Sequence, residues 1–436
     1  MTAELQPSAS GQPVFVIDGA RTPFLKAGSR RGPFTPVDLA VQCGRPLLLR
    51  QPFAPQDFDQ VILGCVNVVA EEMNPARVAA LRLGMGESMP AYTVQINCGS
   101  GMQSIDTAAQ YIRNGSSDLI LAGGTEALSH SPLLFSEPAA KWFAQLQGAR
   151  NLPAKLAAML RFNPSFMKPE VGLVKGLTDP IVDLSMGQTA ELLAHLFNIS
   201  RERADEYALS SHQRLAHAQE QGWLDNEVVA AITPQGDILK TDNGVRPDNS
   251  LEALAKLKPV FERPYGKVTA GNSSQVTDGA SWVILASAQA VTQYNLKPRA
   301  VIVDSHWAAL DPQIMGLGPV LAGTALLKRH HYSMQDIDLW ELNEAFAAQV
   351  LACQAAWDDA DFSRRVLGLE RPLGRIDHRR LNIDGGGISL GHPVAASGNR
   401  IVLHLINALH RNGLKRGIAT ECIGGGQAGA MLIETA

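Results

Sequence analysis

The chain has 436 residues, 45% apolar and 18% charged, a composition typical of a soluble globular protein with two or three domains. Its formal net charge of -4 creates no basic field, so we expect no nucleic acid among its partners. No apolar run reaches the ~18 residues of a membrane span, and the five dispersed cysteines lack the C-x-x-C spacing of a zinc site, so no metal is expected.

The N-terminal residues and the cysteines bear on the cellular compartment. The first twelve residues contain no Lys or Arg and no apolar stretch, so they resemble neither a secretory signal nor a transit peptide. An odd number of cysteines without a disulfide pattern suits a reducing compartment. We therefore expect a cytoplasmic protein.

Apolar runs and turn residues predict alternating strands and helices in the first part of the chain. A helix is predicted from about Ser100 to Arg113, and strands at residues 14–17, 61–63, 92–96 and 119–122, the last one broken by Gly123-Gly124. Such alternation is typical of an α/β sheet covered by helices on both faces.

The C-terminal part repeats this order, with strands predicted at 300–303 and 339–342 before a glycine-rich turn, a helix and a final strand. The sequence Arg-Asn-Gly ends a helix before a strand twice, at Arg113 and at Arg411. The recurrence indicates an internal duplication, whose equivalent loops would meet at one shared site. The predicted domains are an N-terminal half at 13–130 completed by about 267–290, an inserted lid domain at 131–266, and a C-terminal half at 296–436.

The inserted segment is cationic at first and strongly helical from Met186 to Gln221. Its first part, 131–180, carries six Lys and Arg residues. Apolar residues recur there at helical spacing, namely Leu152, Leu156, Met159 and Leu160. This pattern predicts either a lid helix packed on the protein's own body or an amphipathic helix that binds a membrane surface or a partner.

One cysteine, Cys98, lies where an apolar strand runs into a helix, in the sequence NCGSGMQS. Its sulfur would lie at the helix N-terminus, where free backbone N–H groups and the helix dipole stabilise a thiolate. Cys98 is therefore a candidate nucleophile. The alternative is a small buried cysteine that fills a tight turn, which is the commoner situation for a single cysteine.

Three further motifs carry groups suited to catalysis. His392 follows a glycine-rich turn in GGGISLGHP, Cys422 and Gly424 lie in CIGGGQAG, and Asn343 begins NEAF. Backbone N–H groups of a glycine turn can form an oxyanion hole, and Asn343 could position a water. Each motif has a structural alternative: a histidine in a turn, a glycine turn that closes the last hairpin, or an asparagine that caps the next helix.

Together these motifs make the sequence resemble the thiolase family over nearly its whole length. The matching stretches, in chain order, are ARTPF, NCGSGMQS, AGGTEALS, SMGQTAE, VTAGNSSQVTDGA, MGLGP, NEAF, GGGISLGHP and CIGGG. The resemblance implies a five-layered αβαβα fold of the α/β class, with two duplicated halves and an inserted loop domain over coenzyme A (CoA). It also implies CoA as a substrate, with no tightly bound cofactor.

The resemblance further implies roles for individual residues. Cys98 matches the family nucleophile, Cys422 the acid/base, and His392 the residue that activates the nucleophile. A water held by Asn343 would form one oxyanion hole with His392, and the backbone N–H groups of Cys98 and Gly424 would form the other. The residues that match contacts to CoA and the acyl group are Ser274, Met186, Met315 and Phe346.

The implied reaction is thiolytic cleavage of a 3-ketoacyl-CoA, or the reverse Claisen condensation, through an acyl-cysteine intermediate. The implied assembly is a homodimer or homotetramer. The long segment 131–180 and an insertion near 357–380 resemble thiolase subunits of fatty-acid oxidation complexes, so 131–180 is expected to dock a hydratase/dehydrogenase subunit or a membrane. Asn343 departs from the His of many such subunits, and Ser185 from the His of many biosynthetic thiolases.

Two other classes of protein fit part of the pattern. Ketoacyl synthases and hydroxymethylglutaryl-CoA synthases share the nucleophilic cysteine but use His or Glu where this chain has Cys422. A non-catalytic lipid-transfer or scaffold protein on the same fold would not need all four catalytic motifs. A thiolysis assay discriminates these alternatives from a thiolase.

Overall fold

The computed structural model describes residues 11–436, so the expectation for the first twelve residues falls almost entirely outside it. Within 11–436, none of the helices is long and apolar enough to span a membrane. The strands are β1 (Phe15–Arg21), β2 (Leu25–Lys26), β3 (Gln60–Gly64), β4 (Ala91–Val94), β5 (Leu119–Ala127), β6 (Leu133–Leu134), β7 (Glu170–Val171), β8 (Ala231–Ile232), β9 (Ile238–Leu239), β10 (Thr277–Ala286), β11 (Ala300–Ala309), β12 (Leu339–Leu342), β13 (Arg416–Ile423) and β14 (Gln427–Thr435).

Helices alternate with these strands and cover them. The helices are α1 (Pro36–Leu49), α2 (Pro75–Arg82), α3 (Ser100–Arg113), α4 (Glu137–Gly148), α5 (Leu152–Leu160), α6 (Gly172–Gly176), α7 (Met186–Leu196), α8 (Arg201–Glu220), α9 (Leu251–Ala255), α10 (Ala288–Gln293), α11 (Gly318–His330), α12 (Ala347–Asp358), α13 (Ala360–Arg365), α14 (Gly387–Leu390) and α15 (Val394–Arg411).

The main sheet consists of two halves with the same pairing. Its order is β12-β13-β14-β11-β1-β10-β5-β3-β4, with β2 added to β10. Parallel β3 and β5 correspond to parallel β12 and β13, and antiparallel β5 and β10 correspond to β13 and β14. The ladder of β1 with β10 is irregular between Val16 and Asp18, and that of β11 with β14 between Ile302 and Asp304. The repeated irregularity agrees with an internal duplication.

Five layers result from this arrangement. Helices α1 and α2 pack on the outer face of the N-terminal half, α11 and α12 pack on that of the C-terminal half, and α3 and α15 lie between the halves. The two central helices approach closely at two glycines. A Cβ added at Gly101 would lie only 2.6 Å from the Ala395 oxygen, and one added at Gly398 only 2.7 Å from the Met102 nitrogen. The start of α3, behind Cys98, therefore lies beside the start of α15, behind His392.

The predicted break at Gly123-Gly124 is wrong, because β5 continues through both glycines to Ala127. Their partners in the ladder are Trp282 and Ser281 of β10. A Cβ at Gly123 would collide with the Trp282 ring, and one at Gly124 with the backbone of α15. The glycines permit close packing on both sides of the strand and do not end it.

The inserted segment contains two separate helical parts. A left-handed Asn198 separates α7 from α8, and the Ser200 hydroxyl caps α8 by accepting the Arg203 N–H. Helices α4 and α5 pack on each other through Trp142, whose Nε1–H donates to the Ala158 carbonyl at 2.8 Å. The apolar stripe of α5 is exposed, so the prediction of a lid helix packed on the protein's own body is wrong for α5. The domain boundaries proposed above stay predictions.

Candidate active site

The turn that presents Cys98 is held by hydrogen bonds on both sides. Asn97 has a left-handed backbone with φ 46°, and α3 begins two residues after Cys98. The Ser100 hydroxyl accepts the Ile96 N–H at 2.9 Å and donates to the Asn97 carbonyl at 2.7 Å. The Asn97 side-chain N–H donates to the Gly424 carbonyl at 2.8 Å. The Cys98 turn is thus tied to the glycine turn after Cys422.

The protonation of Cys98 differs from the sequence-based expectation. Burial raises the pKa of the Cys98 thiol to about 12, and the nearby Glu421 carboxyl raises it further, against the backbone N–H groups of Gly424 and Cys98, which lower it. The helix N-terminus was expected to make Cys98 a better nucleophile than a free thiol; its backbone N–H groups do lower the pKa, but desolvation of the charged form outweighs them. Cys98 rests as a thiol and needs a base.

His392 has the properties of that base. Burial, with the Arg400 charge as a second cause, lowers the pKa of His392 to about 4, so the ring is neutral near pH 7. Its Nδ1 lies 2.6 Å from the Ser397 hydroxyl, and its Nε2 is buried without a hydrogen-bond partner among residues 11–436. Ser397 was not among the predicted site residues, although its place in the first turn after GHP was a usable signal.

Cys422 is buried near the end of β13. Burial raises the pKa of its thiol, and Cys98, Cys353 and Glu421 act in the same direction. The residues that follow close the hairpin to β14, with left-handed Gly425 and Gly426. The structural interpretation of CIGGG as a hairpin turn and the catalytic one are therefore compatible.

Seven of the nine predicted site residues line one cavity of about 190 Å³: Cys98, His392, Cys422, Ser274, Met186, Met315 and Phe346. Gly424 lines an adjoining cavity of about 380 Å³, to which Cys98 and Met186 also belong. The rest of the wall of this catalytic cavity comes partly from other residues of the matching stretches, such as Leu128 of AGGTEALS and Ser273 of VTAGNSSQVTDGA, and partly from Leu177, Phe261 and Val394, which no motif marked. The predicted residues are thus brought together, while their individual roles stay predictions.

Asn343 lines neither cavity but is not a helix cap. The N-cap of α12 is Phe346, without a side-chain hydrogen bond, so the capping interpretation is wrong. The Asn343 side chain is buried, and within the part of the chain that the structure describes neither its amide nitrogen nor its oxygen has a hydrogen-bond partner. A Cβ at Gly387 would lie 3.3 Å from that oxygen, which puts the amide beside the glycine-rich turn that precedes His392.

The GNSS and NEAF segments form one wall of the catalytic cavity. The Ser274 N–H donates to the Ala345 carbonyl at 2.9 Å, and Ser273 forms an isolated bridge with Phe346. The Phe346 ring lies edge-on to Phe261, with ring centroids 6.4 Å apart. This wall is apolar apart from a few polar groups, as is usual for a site that binds a small molecule.

Two thiols and a neutral imidazole line one cavity, beside a glycine turn with backbone N–H groups, and these are the groups that acyl transfer through a cysteine requires. Residues 14–289 match the family described as "Thiolase, N-terminal domain", and residues 296–435 match "Thiolase, C-terminal domain". The chain belongs to the thiolase family, and it is an acyltransferase.

Individual relatives and solved structures resemble the chain over nearly its full length. The mitochondrial 3-ketoacyl-CoA thiolase of Bos taurus is 40% identical over 428 residues, which cover 97% of this chain and 98% of the relative. The mitochondrial trifunctional enzyme subunit beta of Bos taurus is 38% identical over 423 residues, which cover 97% of this chain and 88% of the relative. The Bacillus anthracis acetyl-CoA acetyltransferase structure has a TM-score of 0.84 and 36% sequence identity, and the match covers 98% of this chain and 100% of that chain. The structure of a human mitochondrial 3-ketoacyl-CoA thiolase in complex with CoA has a TM-score of 0.83 and 37% sequence identity, and the match covers 99% of this chain and 100% of that chain.

Proposed function

We propose that the protein is a 3-ketoacyl-CoA thiolase, which cleaves its substrate with CoA to acetyl-CoA and a shortened acyl-CoA. The observation that carries this proposal is the cavity shared by the Cys98 thiol, the neutral His392 ring and the Cys422 thiol. A lipid-transfer or scaffold protein would not require two thiols and an unpaired imidazole nitrogen in one cavity. The same residues would catalyse the reverse Claisen condensation.

In the first half-reaction, His392 Nε2 takes the Cys98 proton as the sulfur attacks the 3-keto carbon. The C2–C3 bond breaks, and its electron pair forms the enolate of acetyl-CoA. Cys422 then donates its proton to C2, which releases acetyl-CoA and leaves the acyl group on Cys98. The backbone N–H groups of Cys98 and Gly424 are suited to stabilise the negative oxygen.

In the second half-reaction, the Cys422 thiolate takes the proton of an incoming CoA thiol. The CoA sulfur attacks the acyl-Cys98 carbonyl, and the Cys98 sulfur leaves and recovers its proton from His392. The raised pKa of Cys422 suits both half-reactions. In the first it keeps the thiol protonated until the far more basic enolate forms, and in the second it makes the thiolate a strong base.

The adjoining cavity of about 380 Å³ supports a substrate with an extended acyl chain. It meets the catalytic cavity at Cys98, Leu128 and Leu177, and its wall adds Leu134 and Leu173 from the inserted segment. Ser274, Phe346 and Cys422 lie only on the catalytic cavity, which leaves the adjoining cavity to the acyl chain. We propose that acyl groups much longer than acetyl extend from Cys98 into it.

We expect kcat/KM for 3-ketopalmitoyl-CoA to exceed that for acetoacetyl-CoA by at least about tenfold, because each methylene in an apolar pocket contributes about 1–3 kcal/mol. Leu173→Trp, which fills the adjoining cavity, should abolish this preference and leave acetoacetyl-CoA cleavage intact. Val174→Trp, at the exposed next residue, is the matched control. Absence of thiolysis with either substrate would refute the proposed function, and an unchanged preference in Leu173→Trp would refute only the assignment of the cavity.

The proposed assembly is a homodimer or homotetramer. Light scattering would measure its mass in solution. Strand β4 ends the sheet, and its residues Ala91–Val94 are only half-buried. An open strand edge of this kind pairs readily with another chain, and a second copy would cover it.

The cytoplasm remains the proposed location, supported by five free thiols that suit a reducing compartment.

We propose that the hairpin of α4 and α5 binds an anionic membrane surface. In α5, Leu160 is 88% exposed and Leu152 is 70% exposed, so this apolar stripe faces away from the core. Six Lys and Arg residues accompany it within 131–180, against three acidic residues, Glu137, Glu170 and Asp179. Exposed apolar groups flanked by cations are typical of helices that lie in a lipid interface.

 The cations of 131–180 outnumber its acidic residues. Two of the three acidic residues are paired, Glu137 with Lys141 and Glu170 with Lys175. The segment therefore keeps a net positive charge, which complements an anionic lipid surface.

We expect the protein to sediment with anionic vesicles containing phosphatidylserine and not with neutral phosphatidylcholine vesicles. The triple variant Leu156→Ser, Met159→Ser and Leu160→Ser should lose this association. A variant with Leu49→Ser and Met73→Ser, both strongly exposed elsewhere, is the matched control and should keep it. Wild-type protein that stays in solution with anionic vesicles would refute the proposal, and retention on a hydratase/dehydrogenase subunit would then assign the hairpin to a protein partner.

A further inference from the structure

The Ser397 hydroxyl touches the ring of His392 from the side away from the unpaired nitrogen. Ser397 is buried in the first turn of α15. Its oxygen lies 2.6 Å from His392 Nδ1 and 3.1 Å from the Pro393 carbonyl oxygen. A hydroxyl has one hydrogen. If it donates to the Pro393 carbonyl, it must accept from His392 Nδ1–H, and if it donates to Nδ1, the carbonyl receives no hydrogen bond from it.

The geometry of α15 favours donation to the carbonyl. A serine hydroxyl inside a helix commonly donates to the carbonyl one turn earlier, and Pro393 is four residues before Ser397. The serine oxygen then accepts the hydrogen of His392 Nδ1. We propose that Ser397 is a positioning residue that holds His392 in the tautomer with its hydrogen on Nδ1 and its lone pair on Nε2.

This inference rests on the proposed function, in which Nε2 receives the Cys98 proton. In the opposite tautomer Nε2 would carry a hydrogen, and an N–H group cannot accept the proton of the Cys98 thiol. After the transfer both ring nitrogens carry hydrogen. The Nδ1–H bond to Ser397 is unchanged, and the new Nε2–H can donate to the substrate oxygen. One hydroxyl orientation therefore serves both protonation states of His392.

The first test compares substitutions of Ser397. We expect Ser397→Ala to slow acylation of Cys98 at saturating substrate by about 10- to 100-fold, the usual effect of removing a residue that orients a functional histidine. KM should change little, and Ser397→Thr, which keeps the hydroxyl, should restore most of the rate. Ser104→Ala is the matched control, because Ser104 is also buried and donates to a carbonyl of its own helix, Gly101, at 2.7 Å.

A double-mutant cycle separates positioning from a merely structural role. If Ser397 acts through the ring, Ser397→Ala should cause no further loss of acylation rate in a His392→Ala background. A wild-type acylation rate in Ser397→Ala would overturn the inference. So would a further loss in the His392→Ala background as large as the loss that Ser397→Ala causes alone. An unimpaired His392→Ala single variant would instead refute the role of His392 in the proposed function.

A measurement on the wild-type protein does not depend on how the Ser397 variants fold. Nitrogen NMR of protein labelled at its histidines distinguishes a protonated from an unprotonated ring nitrogen, and the signals missing from His392→Asn assign those of His392. We expect Nδ1 protonated and Nε2 unprotonated near pH 7. A hydrogen on Nε2 in the free enzyme would overturn the inference.

Discussion

Cys98→Ser should lower the rate of 3-ketoacyl-CoA cleavage by at least about 10³-fold, because removal of a catalytic nucleophile leaves only binding and oxyanion stabilisation. A serine hydroxyl ionises far less readily than a thiol, and a neutral imidazole must then generate a more basic nucleophile. Steady-state thiolysis measures the loss. Mass spectrometry of wild-type enzyme incubated with acyl-CoA should find the acyl group on Cys98 alone.

Cys43→Ser is the matched control for this variant. Cys43 is also buried, and its thiol donates to the Ala20 carbonyl at 3.1 Å, a bond that a serine hydroxyl can replace. The control should fold and retain activity. An acyl group found on another cysteine, or near-normal turnover of Cys98→Ser, would show that the nucleophile has been misassigned.

Cys422→Ala should separate the two kinds of bond cleavage. Breaking the C2–C3 bond produces a strongly basic enolate that requires a proton donor, so its rate should fall by about 10²–10⁴-fold. Exchange of an acyl group between Cys98 and CoA releases only a weakly basic thiolate and uses Cys422 only to take the proton of the CoA thiol, which solvent can also take, so that reaction should persist at a reduced rate. The two rates are measured with a 3-ketoacyl-CoA and with a simple acyl-CoA plus labelled CoA.

Cys353→Ala tests whether the loss of any buried thiol near this site has the same effect. Its sulfur donates to the Gly316 carbonyl and it does not line the catalytic cavity. It should cleave both substrates. If Cys422→Ala lost both reactions equally, Cys422 would be structural, and if it kept normal cleavage, another group would supply the proton.

The elements that local sequence determines were predicted closely. The helix from Ser100 to Arg113 has the predicted ends, because Asn114 and left-handed Gly115 end it locally. Leu339–Leu342 also agrees. The Gly123-Gly124 error has a tertiary cause, since the space those glycines leave is filled by a strand and a helix distant in the sequence.

The candidate site was predicted in composition but not in its electrostatics. Motifs identified the residues that meet at the cavity, but the pKa of Cys98 depends on burial by several segments, which no local pattern reports. Ser397 was missed because its contact with His392 depends on the turn between them. The exposure of α5 was undecided for the same reason, since an apolar stripe does not reveal whether another surface covers it.

The seam between the two halves has a consequence for how the chain folds. Strand β1, at Phe15–Arg21, lies between β10 and β11, whose residues follow more than two hundred positions later. At typical synthesis rates of about 5–20 residues per second, β1 leaves the ribosome roughly 10–50 s before its first neighbour in the sheet. During that time an apolar strand has no native partner, so protection of the nascent N-terminus by chaperones should govern the yield of folded enzyme.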